Sequence, residues 1–175
     1  AAYSLASITL AIAAKWVFIG RYRAAVTPAW SELYFRHWIV EQTARMVPWG
    51  WLAGTGVYSL VLRALGAKIG RRVHIHHGVE LWRGGWDLLT LGDDVTLNCD
   101  SWVGLVELDE GCLHIAPVSI GDRATLGVRA GVSGHSSMGA DSHLTALSWL
   151  GADRTIPAGE RWDGVPAEFE RATPS

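Results

Sequence analysis

The sequence predicts a mainly β protein, in which a solenoid of parallel strands follows a set of α-helices. Large apolar residues recur at every sixth position through the last two-thirds of the chain, whereas the first third carries a long apolar run and then apolar residues at helical spacing. We therefore divide the chain into a helical, Trp-rich, membrane-associated segment at 1–66, a repeat domain at 67–167 and a tail at 168–175.

The six-residue period is the strongest signal in the chain. Each unit supplies one short strand and one turn, and glycine, which often follows the apolar residue, eases the tight corner. A single unit buries little apolar surface, so the units must stack around a shared core. We expect Ile120, Leu126, Val132, Leu144, Leu150 and Ile156 inside. The unbroken series also includes Met138 and Trp162, and two earlier series contain Ile69, Ile75, Leu81, Leu91, Leu97 and Val103.

The period is interrupted twice. The phase shifts by four residues within 81–91 and by five residues within 103–120. Insertions into a solenoid leave it as surface loops, and such loops commonly carry function. We refer to these segments as the first and the second insertion.

Residues 1–20 are almost wholly apolar apart from Lys15, and their number is close to the ~20 residues that span a bilayer. Lys15 and Trp16, followed by Arg21 and Arg23, are typical of an interfacial anchor on the cytoplasmic side. We expect residues 1–23 to form a helix inserted in or lying on a membrane. The alternative is a hydrophobic helix packed on the solenoid.

The remaining N-terminal residues predict two further helices. Thr27 and Pro28 favour a helix start, the apolar spacing continues to Met46, and Pro48 ends the helix. A second helix is predicted over about 57–65, with Gly66 as its left-handed cap.

Charge divides the chain in two. Residues 1–72 carry nine Lys or Arg against two acidic residues, whereas residues 73–175 carry six against fifteen. A basic part joined to an acidic part suggests a membrane-facing or polyanion-facing portion. Nucleic acid is not expected as a partner, because the basic residues are scattered among Trp and Leu without a binding motif. The two cysteines predict neither a disulfide framework nor a metal site.

Several stretches resemble the hexapeptide-repeat acyltransferases. They are Ile69-Gly-Arg-Arg-Val-His, Ile120-Gly-Asp-Arg-Ala-Thr and the ending Ile156-Pro-Ala-Gly-Glu-Arg-Trp-Asp-Gly-Val-Pro-Ala. The resemblance implies that three hexapeptides make one triangular turn of a left-handed parallel β-helix. Period six alone does not fix the handedness.

A narrower resemblance covers most of the chain. Gly20-Arg-Tyr-Arg, Trp30, Tyr34-Phe-Arg-His-Trp, Gly54-Thr and Leu62-Arg-Ala-Leu-Gly-Ala-Lys-Ile-Gly are similar to the C-terminal, membrane-associated domains of ε-poly-L-lysine synthetase-like nonribosomal peptide synthetases. This resemblance implies amide-bond formation between an aminoacyl thioester on a carrier-protein domain and the amine of a free amino acid. It implies a phosphopantetheine-linked donor and no tightly bound cofactor.

Such a transfer needs a base for the amine proton, and a corner histidine is the expected choice. His77 precedes the first insertion, and we expect Asp87 to orient it. His135 lies at a predicted corner among small residues, and Asp100 occupies a comparable corner one or two coils away. Each of these could equally be a solvated corner residue. His37 lies on a helix and is most simply structural or interfacial.

The second insertion places His114 beside Glu107, Asp109 and Glu110. This acidic loop could attract a cationic acceptor amine, or it could be a solvated loop. His74 and His76 share one strand face, but no third ligand completes a metal signature, so we expect no metal.

Three functions stay open at this point. The first is a membrane-associated acyltransferase or aminoacyltransferase domain on the cytoplasmic face. The second is a scaffold that docks carrier domains or self-associates. The third is an acetyl-CoA-dependent acetyltransferase, which is disfavoured by an apolar N-terminus and by a start without Met that suggests a longer polypeptide.

Overall fold

A computed structural model describes residues 2–170 of the chain. The N-terminal part contains four helices: α1 (Ala2–Phe18), α2 (Glu32–Arg45), α3 (Trp49–Leu52) and α4 (Gly56–Ala64). Ser31, and not Thr27, caps α2, because its side-chain oxygen accepts a 3.2 Å hydrogen bond from the Tyr34 N–H. The predicted helix start at Thr27 and Pro28 is therefore wrong. Gly66 follows α4 at a positive φ of 110°, as its predicted capping role requires.

Parallel strands form three walls of a solenoid. Wall 1 consists of β2 (Lys68–Ile69), β4 (Leu89–Leu91), β9 (Val118–Ile120), β12 (Ser137–Met138) and β15 (Thr155–Ile156). Wall 2 consists of β3 (His74–Ile75), β5 (Thr96–Leu97), β10 (Thr125–Leu126), β13 (His143–Leu144) and β16 (Arg161–Asp163). Wall 3 consists of β6 (Trp102–Val103), β11 (Gly131–Val132) and β14 (Trp149–Leu150). Corner 2 joins walls 2 and 3, and corner 3 leads from wall 3 back to wall 1.

The register confirms three hexapeptides per turn. Met138 pairs with Ile120 on one side and with Ile156 on the other, so equivalent positions on neighbouring coils are 18 residues apart. The large side chains point inward and form one continuous core. All six residues predicted to lie inside are at most 1% exposed. The parallel solenoid predicted from the sequence is thus confirmed.

The two insertions differ in length. Ile69 pairs with Leu91, 22 positions along the chain, so the first insertion adds four residues as predicted. Leu91 pairs with Ile120, 29 positions along, so the second insertion adds eleven residues and not five. The phase of a six-residue repeat fixes the length of an insertion only up to a multiple of six residues. Six of the eleven added residues leave the phase unchanged, so only five can be detected from the sequence.

The second insertion is a β-hairpin and not a loop. Its strands are β7 (Val106–Asp109) and β8 (Cys112–Ile115), and β8 also pairs antiparallel with β1 (Ala25–Pro28). This pairing explains why Thr27 and Pro28 are extended: tertiary hydrogen bonding overrides the local helix signal. The hairpin therefore ties the N-terminal segment to the solenoid.

The first helix packs against protein along part of its surface. Ala11, Ala14 and Lys15 are buried, whereas Leu5 and Val17 are largely exposed. Lys15 is fully buried and forms an ion pair with Asp87, so its expected role as an interfacial anchor is wrong. Over residues 2–170, no helix combines the length and the apolar character needed to cross a membrane.

The predicted tail begins inside the fold. Glu168 and Phe169 form β17, which pairs antiparallel with β16 at the edge of wall 2. Residues 171–175 of that tail lie outside the described part of the chain.

Candidate functional site

Corner 2 brings His77 and Asp100 together. The N–H of Asp100 donates to the carbonyl oxygen of His77 at 3.1 Å, and Asp100 adopts a left-handed φ of 55° at the turn. The Nδ1 of His77 lies 3.6 Å from the thiol sulfur of Cys99, and Arg129 lies 3.7 Å from the carboxylate of Asp100. His77 is exposed here. The corner thus offers an accessible imidazole with a thiol and a carboxylate nearby.

Asp87 does not reach His77, so its expected orienting role is wrong. Its two carboxylate oxygens accept hydrogen bonds from the ammonium of Lys15, at 3.1 Å, and from the backbone N–H of Tyr22, at 2.9 Å. The first insertion folds toward the N-terminal segment and carries Asp87 with it, whereas His77 lies at corner 2 beside Cys99. Burial lowers the pKa of Lys15, and the hydrogen bond and charge of Asp87 oppose that shift.

A cleft lies next to corner 2. It has a volume of about 270 Å³ and is bordered by His76, Gly78 and Glu80 on the solenoid side and by Trp49 and Tyr58 among its helical residues. His76, rather than His77, lines this cleft.

Corner 3 carries His135, which adopts a left-handed φ of 59° and has an exposed side chain. The backbone N–H of His135 donates to the carbonyl oxygen of Pro117 at 2.8 Å, which fixes the turn. Left-handed backbone is uncommon outside glycine, and histidine is among the residues enriched there. Asp100 occupies the equivalent left-handed turn position of its hexapeptide, at a φ of 55°, but it lies at corner 2 and not at corner 3. Outside the insertions, two residues lie at the same corner only when a multiple of 18 positions separates them, whereas the period of the sequence shows only six-residue steps.

The hairpin extends its acidic face toward corner 3. The carboxylate of Glu107 accepts a 3.3 Å hydrogen bond from the N–H of Gly134, the residue before His135. His114 is the cross-strand partner of Glu107, so both side chains lie on the same face of the hairpin. Asp109 lies on that face opposite Cys112, and Glu110 forms the turn at a φ of 47°. Three predicted residues, His135, Glu107 and His114, are therefore close in the fold.

Two tryptophans beside Glu107 were missed by sequence reasoning. The rings of Trp102 and Trp149 stack with centroids 4.9 Å apart, across the intervening coil at Gly131. A Cβ added at Gly104 would overlap both the Trp102 ring and the Glu107 carboxylate, so these two groups lie side by side above Gly104. Trp102 and Trp149 are 47 positions apart in the sequence. Their place on one wall becomes apparent only when the eleven residues of the second insertion are subtracted, because the remaining distance is two coils of 18 residues.

Metal ligation finds no support in the side-chain positions. Within residues 2–170, no group of three His, Cys, Asp or Glu side chains is placed to hold an ion. Cys99 and Cys112 are both free thiols.

Comparison with known proteins bears on the fold and, in part, on the function. No protein-family model matches the chain. A curated relative from Acinetobacter baumannii, named delta-poly-L-ornithine synthetase, is 29% identical over 164 residues. That match covers 94% of this chain but only 12% of the relative, so the chain corresponds to a small part of that protein.

Solved structures share the architecture at low sequence identity. A galactoside acetyltransferase in complex with coenzyme A superposes with a TM-score of 0.58 at 15% identity, over 83% of this chain and 85% of its own. A hexapeptide-repeat-containing acetyltransferase from Vibrio cholerae O1 biovar eltor, complexed with acetyl coenzyme A, superposes with a TM-score of 0.54 at 15% identity, over 98% and 89%. These likenesses show the fold alone, and the hexapeptide-repeat fold of these neighbours implies the left-handed winding expected from the sequence.

Proposed function

We propose that this chain is an acyltransferase domain of a membrane-associated nonribosomal peptide synthetase. It would join a carrier-bound aminoacyl thioester to the amine of a free amino acid. The acyltransferase neighbours and the synthetase-named relative support an acyltransferase enzyme. The carrier domain, its phosphopantetheine arm and the amino-acid acceptor are parts of the proposal.

The observation that carries the proposal is the contact between the acidic hairpin and corner 3. A base and a carboxylate serve different needs of the same substrate, since one accepts the amine proton and the other attracts the cation. Glu107 is bonded to the residue before His135, and His114 lies beside Glu107. We therefore place the acceptor amine at this corner, with His135 as the leading base and His77 at corner 2 as the second candidate.

The reaction needs few groups. The neutral amine nitrogen attacks the thioester carbonyl carbon, the new C–N bond forms, and the C–S bond breaks to release the phosphopantetheine thiol. An ammonium has no lone pair for this attack, so a base must accept its proton. Imidazole suits this role because its ordinary pKa lies near neutrality.

The decisive experiment uses the full synthetase. We expect His135→Ala to lower amide formation by roughly 10²–10⁴-fold while loading of the carrier with its amino acid stays normal. His74→Ala, an exposed histidine on wall 2, serves as the matched control and should keep full activity. If His135→Ala is active and His77→Ala is not, the base lies at corner 2. Full activity in both variants would favour the non-catalytic scaffold that docks carrier domains or self-associates.

The role of the acidic face is tested separately. Neutralising Glu107, Asp109 and Glu110 together should raise the half-saturating concentration of a cationic acceptor, because the local concentration of cations falls. Glu168→Gln, a change at an exposed carboxylate elsewhere on the solenoid, should leave it unchanged. An equal response of a neutral acceptor amine would remove the argument from charge.

Acetyl coenzyme A is a second candidate for the acyl donor, because the two structural neighbours described above were solved with acetyl coenzyme A or coenzyme A. The same assay therefore compares acetyl coenzyme A with a carrier-bound aminoacyl thioester. Transfer from acetyl coenzyme A alone would make the chain an acetyltransferase and end the peptide-synthetase assignment.

We also propose that the N-terminal helices lie on the cytoplasmic membrane surface. Exposed apolar side chains on α1 and α2 support this contact, and Arg21 and Arg23 add positive charge beside them. The apolar side chains concerned are Tyr3, Leu5, Leu10, Trp16, Val17, Phe18, Phe35 and Trp38. Co-sedimentation with vesicles containing anionic lipid should fall on Leu5→Ser and Val17→Ser substitution, and equal recovery with and without these changes would reject the proposal.

A further inference from the structure

A small, half-open cavity lies behind the hairpin, on the side opposite the face that carries Glu107 and His114. It has a volume of about 130 Å³ and is formed where α2, the first insertion and the hairpin meet. Its lining residues are Tyr34, His37, Trp38, Glu41, Arg83, Val106, Leu108 and Leu113. The proposed acyl transfer makes no use of this cavity.

The most informative residue of the cavity is His37, which is only 4% exposed. Its Nδ1 lies 3.0 Å from the hydroxyl oxygen of Tyr22, which is equally buried. Burial lowers the pKa of His37 and raises the pKa of Tyr22 above its ordinary value, so both groups are neutral near pH 7. Gly84 of the first insertion closes over the pair, and a Cβ there would lie 2.8 Å from the His37 ring.

The hydrogen bond fixes the tautomer of His37. In the described part of the chain the Tyr22 hydroxyl has no acceptor other than His37, so the hydroxyl donates to Nδ1 and the ring proton lies on Nε2. The Nε2–H group makes no hydrogen bond to any described residue. Nε2 is not among the buried side-chain atoms that lack a partner within residues 2–170, so it is open to the solvent-filled space of the cavity, where a ligand with an acceptor oxygen can reach it.

Charges of both signs border the same cavity. Glu41 lies one helical turn after His37, and its only ion-pair partner among residues 2–170 is the half-exposed Arg45, at 3.1 Å. Arg83 is half exposed and is paired at 3.1 Å with Glu80 of its own loop. Val106, Leu108 and Leu113 supply an apolar wall between these groups. A carboxylate, a guanidinium, an N–H donor and an aliphatic wall match the parts of a zwitterionic amino acid.

We propose that this cavity binds a free α-amino acid with an aliphatic side chain. The ammonium group faces Glu41, the carboxylate accepts from His37 Nε2–H and from Arg83, and the side chain lies against the hairpin. This site is separate from corner 3 and holds the amino acid without reaction. It goes beyond the proposed acyl transfer, and because its test measures binding without turnover, either proposal can fail while the other stands.

The first experiment titrates the chain with norvaline, ornithine and lysine and follows thermal unfolding. A ligand that binds only the folded state should raise Tm by roughly 3–6 °C at ten times its Kd. Norvaline amide lacks the carboxylate and N-acetylnorvaline lacks the ammonium, so neither should raise Tm at the same concentration. Equal stabilisation by the blocked compounds would overturn the zwitterion assignment, and no shift with any free amino acid at 10 mM or so would overturn the site.

The second experiment uses variants with matched controls. Glu41→Gln should weaken norvaline binding by about tenfold or more, as expected for a lost charge-assisted hydrogen bond. Glu32→Gln, which breaks the same type of i,i+4 pair on the same helix, should leave Kd unchanged. Arg83→Met should weaken binding, whereas Arg154→Met should not, although both arginines lie over a tryptophan ring.

A third measurement observes His37 itself. In the free protein, 15N NMR should report a neutral imidazole with its proton on Nε2. Norvaline should shift this Nε2–H resonance downfield as its carboxylate accepts the bond, and the Glu32→Gln variant should show the same shift. A proton on Nδ1, or an Nε2–H resonance that stays unchanged while norvaline binds, would show that His37 does not bind the carboxylate.

Discussion

Removing the charge of Asp87 should destabilise the protein strongly, because this carboxylate neutralises a fully buried ammonium. Lys15 is 0% exposed and Asp87 is 13% exposed at the side chain, and their closest N–O distance is 2.9 Å. Asp87 also accepts the backbone N–H of Tyr22. Asp87→Asn keeps one acceptor oxygen but leaves the Lys15 charge without compensation.

The magnitude follows from the cost of an unpaired buried charge. Breaking a buried ion pair by removing one partner typically costs 3–5 kcal/mol. Because the amide of Asn can still accept one hydrogen bond, we expect about 3 kcal/mol. For a domain of this size that corresponds to a fall in Tm of roughly 6–12 °C. The double substitution Lys15→Met with Asp87→Asn should recover most of this loss, since it removes the buried charge and keeps an acceptor oxygen for the Tyr22 N–H.

Urea unfolding followed by circular dichroism measures both variants. Asp109→Asn is the control, because this exposed hairpin carboxylate forms no salt bridge within residues 2–170 and its removal should change stability by less than about 0.5 kcal/mol. A loss of less than 1 kcal/mol in Asp87→Asn, or a double variant no more stable than the single one, would refute the reasoning. Either result would mean that water or a local opening solvates Lys15.

Three further predictions concern the solenoid. Leu126→Ala should lower the free energy of unfolding by about 2–5 kcal/mol, whereas Leu147→Ala, at an exposed corner, should change it by less than about 0.5 kcal/mol in the same urea titration. Gly131→Ala should cost about 1–3 kcal/mol because the new Cβ overlaps the Trp149 ring, and an unchanged near-ultraviolet spectrum would contradict that overlap. Two neighbouring hydroxyl groups hold the pKa of Asp163 below its ordinary value. The ionised carboxylate therefore stabilises the folded state above about pH 4, and this stabilisation is lost as pH falls through the folded-state pKa. Asp163→Asn should thus flatten the fall of Tm between about pH 4 and 2.

The core could be predicted because its signal is local and repeated. Leu126, Val132 and Leu144 are buried in the solenoid for the same reason that they recur at six-residue steps: each hexapeptide directs one large side chain inward. The same periodicity leaves the insertion length open by whole steps. The sequence therefore could not predict that the second insertion adds eleven residues. It also could not predict the stacking of Trp102 on Trp149, which depends on that length.

The polar partners could not be predicted because they depend on contacts between distant segments. Asp87 was assigned to His77 from sequence proximity, but Lys15, 72 positions away, lies in the buried position beside it. Thr27 has good capping chemistry, yet pairing with the hairpin holds it in a strand. In both cases a tertiary hydrogen bond decides between local alternatives of nearly equal free energy.

The interruptions of the repeat concentrate the features that a uniform solenoid lacks. The first insertion supplies Asp87 to the N-terminal segment, and the second supplies β8 as a partner for β1. The hairpin then has two faces with different chemistry: one carries Glu107 toward corner 3, and the other closes the cavity of His37. A ligand in that cavity would contact the hairpin from behind and stabilise its docked position, because it contacts both the hairpin and α2. Binding behind the hairpin should therefore slow amide exchange across β7 and β8, a result that hydrogen exchange with and without norvaline can measure directly.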